Sequence, residues 1–124
     1  MTPAAWLEAQ HEADRFDRDK QRGGMTEVIS DIQQCYSRTT RPRVDQQALR
    51  QCLVFDYFTV RFNAETERQM PGLGNLPFYQ QNAVQERLGR YGPLAGFRDP
   101  AVLGGYIAQG SKSIFSALAA RTKG

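Results

Sequence analysis

Apolar residues recur at three- and four-residue spacing along most of the chain, a spacing typical of amphipathic helices. The first stripe consists of Trp6, Ala9, Ala13 and Phe16. Thr2 and Pro3 are suited to begin this helix, and Gly23-Gly24 to end it. A second helix is predicted after Thr26, with its apolar positions at Val28, Ile29, Ile32, Cys35 and Tyr36.

The longest predicted helix begins after Asp45, a favourable N-cap residue, and extends to about Arg68. At about 1.5 Å per residue, it would be about 36 Å long. Its middle is apolar on two opposite faces, one with Leu49, Cys52, Leu53 and Val60 and the other with Phe55, Phe58 and Phe62. Because a helix of this kind is usually packed on both sides, we expect it to be the central element.

Two more helices are predicted in the C-terminal half. Residues 70–77 hold two prolines and two glycines, which indicates a loop. A helix is expected over 78–91, ended by Gly92-Pro93, and another over 101–121, begun by Asp99-Pro100. No strand, repeat or linker pattern interrupts the series. The sequence therefore predicts an all-α fold, with residues 1–124 forming one domain, a bundle of about five helices.

The two cysteines of the chain, Cys35 and Cys52, lie on the apolar stripes of consecutive predicted helices. Thr39 to Arg43, between them, is a stretch that neither helix easily crosses. This arrangement predicts a helical hairpin linked by a disulfide, and the alternative is a pair of reduced, buried thiols. Because disulfides persist in oxidising compartments, we expect a periplasmic or secreted protein, with the cytoplasm as the alternative.

Composition limits the classes of partner. The chain has 124 residues, of which 40% are hydrophobic and 23% charged, with a net charge of +3. This charge is modest for a nucleic-acid-binding protein, so nucleic acid is not an expected partner. No apolar run approaches the ~18 residues of a transmembrane helix. The N-terminus lacks the apolar core of a signal peptide, so export requires that a leader was removed.

Asp56 is the most unusual ionisable residue, since it interrupts an apolar stripe of the long helix. A buried carboxylate needs a partner, such as Arg87, Arg90 or a tyrosine hydroxyl, or its pKa rises. The alternative role is a general base at the bottom of a pocket. The mixed-charge run from Glu12 to Arg22 is expected to be a solvated helical face.

No motif assigns a catalytic residue, a metal site or a cofactor. His11, the only histidine, is predicted to be exposed, and the cysteine spacing does not fit a zinc site. Residues 105–113 resemble a phosphate-binding loop, but Ser111 stands where its lysine is needed. We therefore expect Gly104, Gly105, Ala108 and Gly110 to serve close helix packing.

Two surfaces are candidates for binding. The loop and the residues after it carry apolar side chains, namely Met70, Leu73, Leu76, Phe78 and Tyr79. They form either an interface or a cap over the end of the long helix. A second apolar loop, residues 93–97, is expected beside it. Arginines gather around the hairpin turn, namely Arg38, Arg41, Arg43 and Arg50, and form either a docking patch for an acidic partner or a solvated cluster.

Together these features favour a small, exported, non-catalytic helical protein of bacterial type that binds another protein. The first alternative is a helical carrier of an apolar small molecule, held between the long aromatic helix and its neighbours. The second is an enzyme that uses Asp56. The oligomeric state stays open.

Overall fold

The computed structural model describes residues 2–122, which form four α-helices and no strand. The helices are α1 (Pro3–Thr40), α2 (Gln46–Gln69), α3 (Gln81–Leu94) and α4 (Pro100–Thr122). A short 3-10 turn, Pro77–Tyr79, precedes α3. The all-α bundle predicted from the sequence is confirmed. None of the helices within residues 2–122 is both long and apolar enough to cross a bilayer.

Helix α1 combines the first two predicted helices, which is why the structure has four helices rather than about five. Gly23 (φ −167°) and Gly24 (φ 67°, ψ −152°) leave the helical conformation in its middle. In a straight helix, residues 15 and 31 would be about 24 Å apart. Instead, Arg15 Nη2 lies 2.6 Å from Asp31 Oδ1. The N-terminal arm (3–22) and the C-terminal arm (25–40) therefore fold back on each other.

The predicted N-caps of α1 and α2 are confirmed. Thr2 Oγ1 accepts a hydrogen bond from the Ala5 N–H at 3.1 Å, and Asp45 Oδ1 accepts one from the Ala48 N–H at 3.1 Å. The predicted end at Gly92-Pro93 was too early, because α3 continues through Pro93 to Leu94. A proline in the last turn removes only one backbone N–H donor. Because the helix ends directly after it, no other backbone hydrogen bond of the helix is lost.

Helix α2 is the centre of the bundle, as predicted. Most of its apolar residues on both faces are buried, including Leu49, Phe55 and Phe58, whereas Val60 and Phe62 are half-buried. The Phe58 ring lies 4.9 Å from Phe16 of α1 and 4.8 Å from Phe115 of α4, centroid to centroid, with the planes steeply inclined. This edge-to-face packing joins three helices around one aromatic cluster.

A disulfide between Cys35 and Cys52 joins the C-terminal arm of α1 to α2, with the two Cα atoms 5.8 Å apart. Both side chains are buried. The predicted hairpin and its disulfide are therefore confirmed. On the other side of α2, a Cβ added to Gly110 would lie 2.6 Å from Val54 Cγ1, so glycine does allow close packing there. The same explanation is wrong for Gly104 and Gly105, which are exposed and where an added Cβ would meet nothing within 4 Å.

Candidate functional site

The loop after α2 is held in place by two polar side chains of the helix. The Glu67 carboxylate accepts hydrogen bonds from the backbone N–H groups of Gly72 (3.0 Å) and Gly74 (2.8 Å). The Asn63 side-chain amide donates to the Gly74 carbonyl oxygen at 2.8 Å. Gly72 has a φ of 99°, a conformation that favours glycine. The loop is therefore anchored at both of its glycines.

This anchored loop exposes its apolar side chains. Met70 is 53% exposed and Leu73 is 63% exposed. Both lie at the edge of a pocket of about 420 Å³. Its apolar walls come from three helices and consist of Met25, Phe62 and Phe115. We call this site the α2-end pocket.

The remaining residues predicted for this interface lie deeper. Leu76 and Phe78 are half-buried and Tyr79 is buried, as expected if this part of the segment caps the core, and the interface stays a prediction. Residues 70–73 face outward, whereas residues 76–79 cover the core. The second apolar loop does not lie beside the first. Arg50, near the start of α2, donates from Nε to the Ala95 carbonyl oxygen at 2.8 Å, which places that loop at the opposite end of the helix.

The predicted arginine patch is reduced to three residues. Arg38, Arg41 and Arg43 are exposed around the turn between α1 and α2. Arg50 faces away from them, because its guanidinium lies 4.6 Å from the centroid of the Phe97 ring. The structure does not bring the patch and the α2-end pocket together. They lie at opposite ends of a helix that is about 36 Å long.

Asp56 is buried and fully engaged. Its Oδ2 accepts a hydrogen bond from the Tyr36 hydroxyl at 2.6 Å and another from Arg87 Nε at 2.8 Å, while Oδ1 accepts from Arg87 Nη2 at 3.0 Å. Arg87 also donates from Nη1 to the Phe78 carbonyl oxygen at 2.7 Å and covers the Phe78 ring. The Asp56 carboxylate thus joins α1, α2 and α3, and Arg87 extends the network to the 3-10 turn.

This geometry favours a structural role for Asp56. A pocket of about 270 Å³ lies beside the network and is lined by Tyr36 and Arg87, but not by Asp56. Burial, followed by the nearby Asp56 carboxylate, raises the pKa of Tyr36 well above its usual value, so its hydroxyl stays a donor. Arg90, the other predicted partner, pairs instead with Glu86 at 3.1 Å.

A second buried carboxylate was not predicted. Asp19 lies in the run expected to be solvated, yet it is 4% exposed, and its Oδ2 receives no hydrogen bond from the described residues. Its neighbour Asp31 accepts hydrogen bonds from Arg15 Nε at 2.7 Å and Nη2 at 2.6 Å. The fold-back at Gly23-Gly24 creates this cluster, and helical spacing alone cannot show it.

The two carboxyl groups titrate differently. Burial, followed by the adjacent Asp31 carboxyl, raises the pKa of Asp19 to about 7. Burial opposes ionisation of Asp31 as well, but hydrogen bonds from Arg15 and Asp19 lower its pKa below the usual value. Asp19 therefore holds the proton of the pair, and Asp31 holds the charge.

Among the described residues, no group of three His, Cys, Asp or Glu side chains is placed to bind a metal ion. His11 is exposed, as predicted. No protein-family model, curated protein or solved structure matches the chain.

Proposed function

We propose that this protein binds another protein through the α2-end pocket and the exposed side chains of Met70 and Leu73. The observation that carries the proposal is that these side chains are exposed although the backbone of their loop is held in place. More than half of each side chain is exposed, while the loop that carries them is tied to α2 through Glu67 and Asn63. An apolar surface on a preorganised loop loses little conformational entropy on binding.

The walls of the pocket suit an apolar anchor of the partner. Met25 and Met70 are flexible and polarisable, and phenylalanine rings form the deeper surface. Lys20 stands at the rim, with its ammonium 4.7 Å from the centroid of the Phe62 ring. Glu65 also lines the pocket, and its carboxylate is paired with Arg68. A partner segment with an apolar anchor side chain and a carboxylate beside Lys20 would therefore complement the pocket.

We further propose that this binding takes place in the periplasm or outside the cell. The disulfide supports an oxidising compartment, because two buried thiols in a reducing cytoplasm rarely form such a bond. Counting free thiols in protein purified from its native source tests the location, and two free thiols there would contradict it.

Site-specific photo-cross-linking tests the interface. A photoreactive amino acid is placed at Leu73 in the full chain, with the disulfide formed, and is irradiated in the cells that naturally produce the protein. We expect one discrete adduct with a second protein, identified by mass spectrometry. Met70→Asp in the same chain should remove the adduct, because a buried carboxylate at the contact is strongly unfavourable.

Leu94 provides the matched control. It is also an exposed apolar side chain, 42% exposed, but it lies at the opposite end of the bundle. The photoreactive residue at Leu94 should give no such adduct. Identical adducts from both positions, or an adduct unaffected by Met70→Asp, would contradict the proposal. Thermal unfolding of each variant shows that the fold is retained, since the substituted side chains are exposed.

A further inference from the structure

A second large cavity lies nearer the start of the N-terminal arm of α1, between that arm, α2 and α4. Its volume is about 430 Å³, within the range of small-molecule sites. Ala9, Val54 and Ile114 contribute apolar walls. The α2-end pocket is lined by residues at the other end of the same arm, so the two cavities are separate.

The two charged residues that line this cavity are both acidic. Glu8 and Glu12 both line it, one helical turn apart on the same arm. Glu12 is well buried, with 15% of its side chain exposed, and its nearest cation is Arg15 Nη1 at 3.4 Å. Arg15 makes its short contacts, 2.7 and 2.6 Å, to Asp31 instead. The Glu12 carboxylate is therefore only weakly compensated.

The electrostatics of the cavity agree with this shortage of positive charge. Burial raises the pKa of Glu12 above its usual value against the opposing effect of Arg15, and the charges of Asp31 and Glu8 add to the rise. Like charges four residues apart on a helix repel each other. A cation placed between Glu8 and Glu12 would remove the repulsion between the two carboxylates. It would also neutralise the charge of Glu12, which Arg15 compensates only weakly.

Tyr106 of α4 lines the same cavity as Glu8 and Glu12 and is 37% exposed. Burial, followed by the charge of the Glu8 carboxylate, raises the pKa of its hydroxyl. Arg50 opposes this effect, but its guanidinium is engaged with Ala95 and Phe97. An aromatic ring beside two carboxylates is a favourable environment for an ammonium group.

We propose that this cavity binds a small amphiphilic cation, a primary ammonium group attached to an apolar chain or ring. The ammonium lies between Glu8, Glu12 and Tyr106, and the apolar part lies against Ala9, Val54 and Ile114. The proposal is independent of the protein interface described above. It gives a specific chemistry to the idea of a helical carrier, because the charge of the cavity excludes anionic amphiphiles such as fatty acids.

Isothermal titration calorimetry of the full, disulfide-bonded chain at pH 7 tests the site with three probes of equal chain length. The probes are octylammonium, octan-1-ol and octanoate. We expect octylammonium to bind at least tenfold more tightly than octan-1-ol, and octanoate not to bind. Glu12→Gln should reduce the preference for the amine to about threefold or less, while the affinity for octan-1-ol stays the same. Both Glu8→Gln and Glu12→Gln remove repulsion, so they should fold normally.

Two further variants complete the experiment. Ala5→Leu adds volume at the cavity wall and should weaken the binding of octylammonium and octan-1-ol alike. This loss of both affinities would show that both probes bind in this cavity. Glu86→Gln removes an exposed carboxylate on α3 and should leave every affinity unchanged. Equal affinities for octylammonium and octan-1-ol would overturn the proposal. So would the absence of octylammonium binding, or a preference that survives both glutamine substitutions at Glu8 and Glu12.

Discussion

The buried carboxylates Asp56 and Asp19 are neutralised in different ways, and only the first could be found from the sequence. Asp56 interrupts an apolar stripe, which marks it as buried and in need of a partner. Arg87 and a tyrosine hydroxyl, both foreseen as partners, do bind it. Asp19 stands among charged neighbours, as on a solvated helix face. Its burial follows from the fold-back of α1, a long-range event that local spacing does not encode.

The raised pKa of Asp19 has a consequence for stability. In the folded chain its pKa is about 7, against an ordinary value of 3.8. Between these values the unfolded chain loses a proton that the folded chain keeps, so the free energy of unfolding falls as pH rises. The full shift corresponds to about 4 kcal/mol, which is the largest fall expected from this carboxyl group over this pH range.

Replacement of Asp19 by asparagine tests this prediction. An asparagine is neutral at every pH and can still donate a hydrogen bond to Asp31. We expect Asp19→Asn to flatten the decline in unfolding free energy between pH 4 and pH 7 and to stabilise the protein at pH 8. Urea denaturation at several pH values measures both effects. A smaller slope remains, because burial also raises the pKa of Glu12.

Asp14→Asn is the control for this series. Asp14 lies on the same arm, but its side chain is 65% exposed and pairs with Arg121 at the surface. In the Asp14→Asn variant, the free energy of unfolding should fall with rising pH as it does in the unmodified protein, because the pair of Asp19 and Asp31 is intact. If the free energy of unfolding of the unmodified protein did not change between pH 4 and pH 7, Asp19 would not hold the proton in this range.

Among the elements, α1 shows most clearly how one residue type determines the architecture. Gly24 combines a φ of 67° with a ψ of −152°, a region of backbone conformation that is almost confined to glycine. The sequence predicted a helix end at Gly23-Gly24 from glycine's low helix propensity, and the structure has a break there. It could not show that the two arms pack against each other, because that depends on side chains far apart in sequence.

Alanine at two glycines should therefore have opposite effects. Gly24→Ala places a side chain in a disfavoured backbone conformation, and we expect it to destabilise the protein by about 1–3 kcal/mol. Gly89→Ala lies in the exposed interior of α3, where an added Cβ meets nothing within 4 Å. It should stabilise by about 0.5–1 kcal/mol through helix propensity. Thermal or urea unfolding compares the two variants, and equal effects would refute this assignment.

Other element-level errors have local causes. The end of α3 was placed too early because Gly92-Pro93 usually stops a helix, whereas here Pro93 occupies the last turn. Gly104 and Gly105 were assigned to close packing along with Gly110, but only Gly110 faces a neighbour, Val54. A run of small residues indicates where packing is sterically permitted. Which of them faces a neighbour depends on the rotation of α4, and its pattern of small residues does not fix that rotation.

At the scale of the whole molecule, the predicted binding residues separate into two ends of the bundle. The loop with Met70 and Leu73 follows α2, whereas Arg38, Arg41 and Arg43 surround the turn that precedes it. The sequence predicts α2 as the central helix, which the structure confirms, and the length of α2 explains why the two groups of residues are far apart. The alternative of a helical carrier expects a site between α2 and its neighbours, but the residues that line the pockets could not be named, because the pocket walls come from three different helices. Met25, Phe62 and Phe115, for example, are distant in sequence and carry no shared motif.

The disulfide is the covalent constraint that holds this arrangement together, and its contribution can be measured directly. It links residues 17 positions apart, and on the chain-entropy account a loop of this size contributes about 3 kcal/mol. A domain of this size is typically stable by about 5–15 kcal/mol, so the reduced protein should still fold. Reduction should therefore lower the urea midpoint and leave the helical content of the native state intact.

The comparison uses the unmodified chain with and without dithiothreitol, followed by circular dichroism in urea. The Cys35→Ala/Cys52→Ala variant serves as the control, because dithiothreitol should not change its midpoint. Retained folding after reduction is expected since Asp56, through Tyr36 and Arg87, joins the C-terminal arm of α1 to α2 and α3 independently of the sulfur atoms. Complete unfolding on reduction would mean that this buried network and the aromatic cluster around Phe58 cannot hold the bundle without the covalent link.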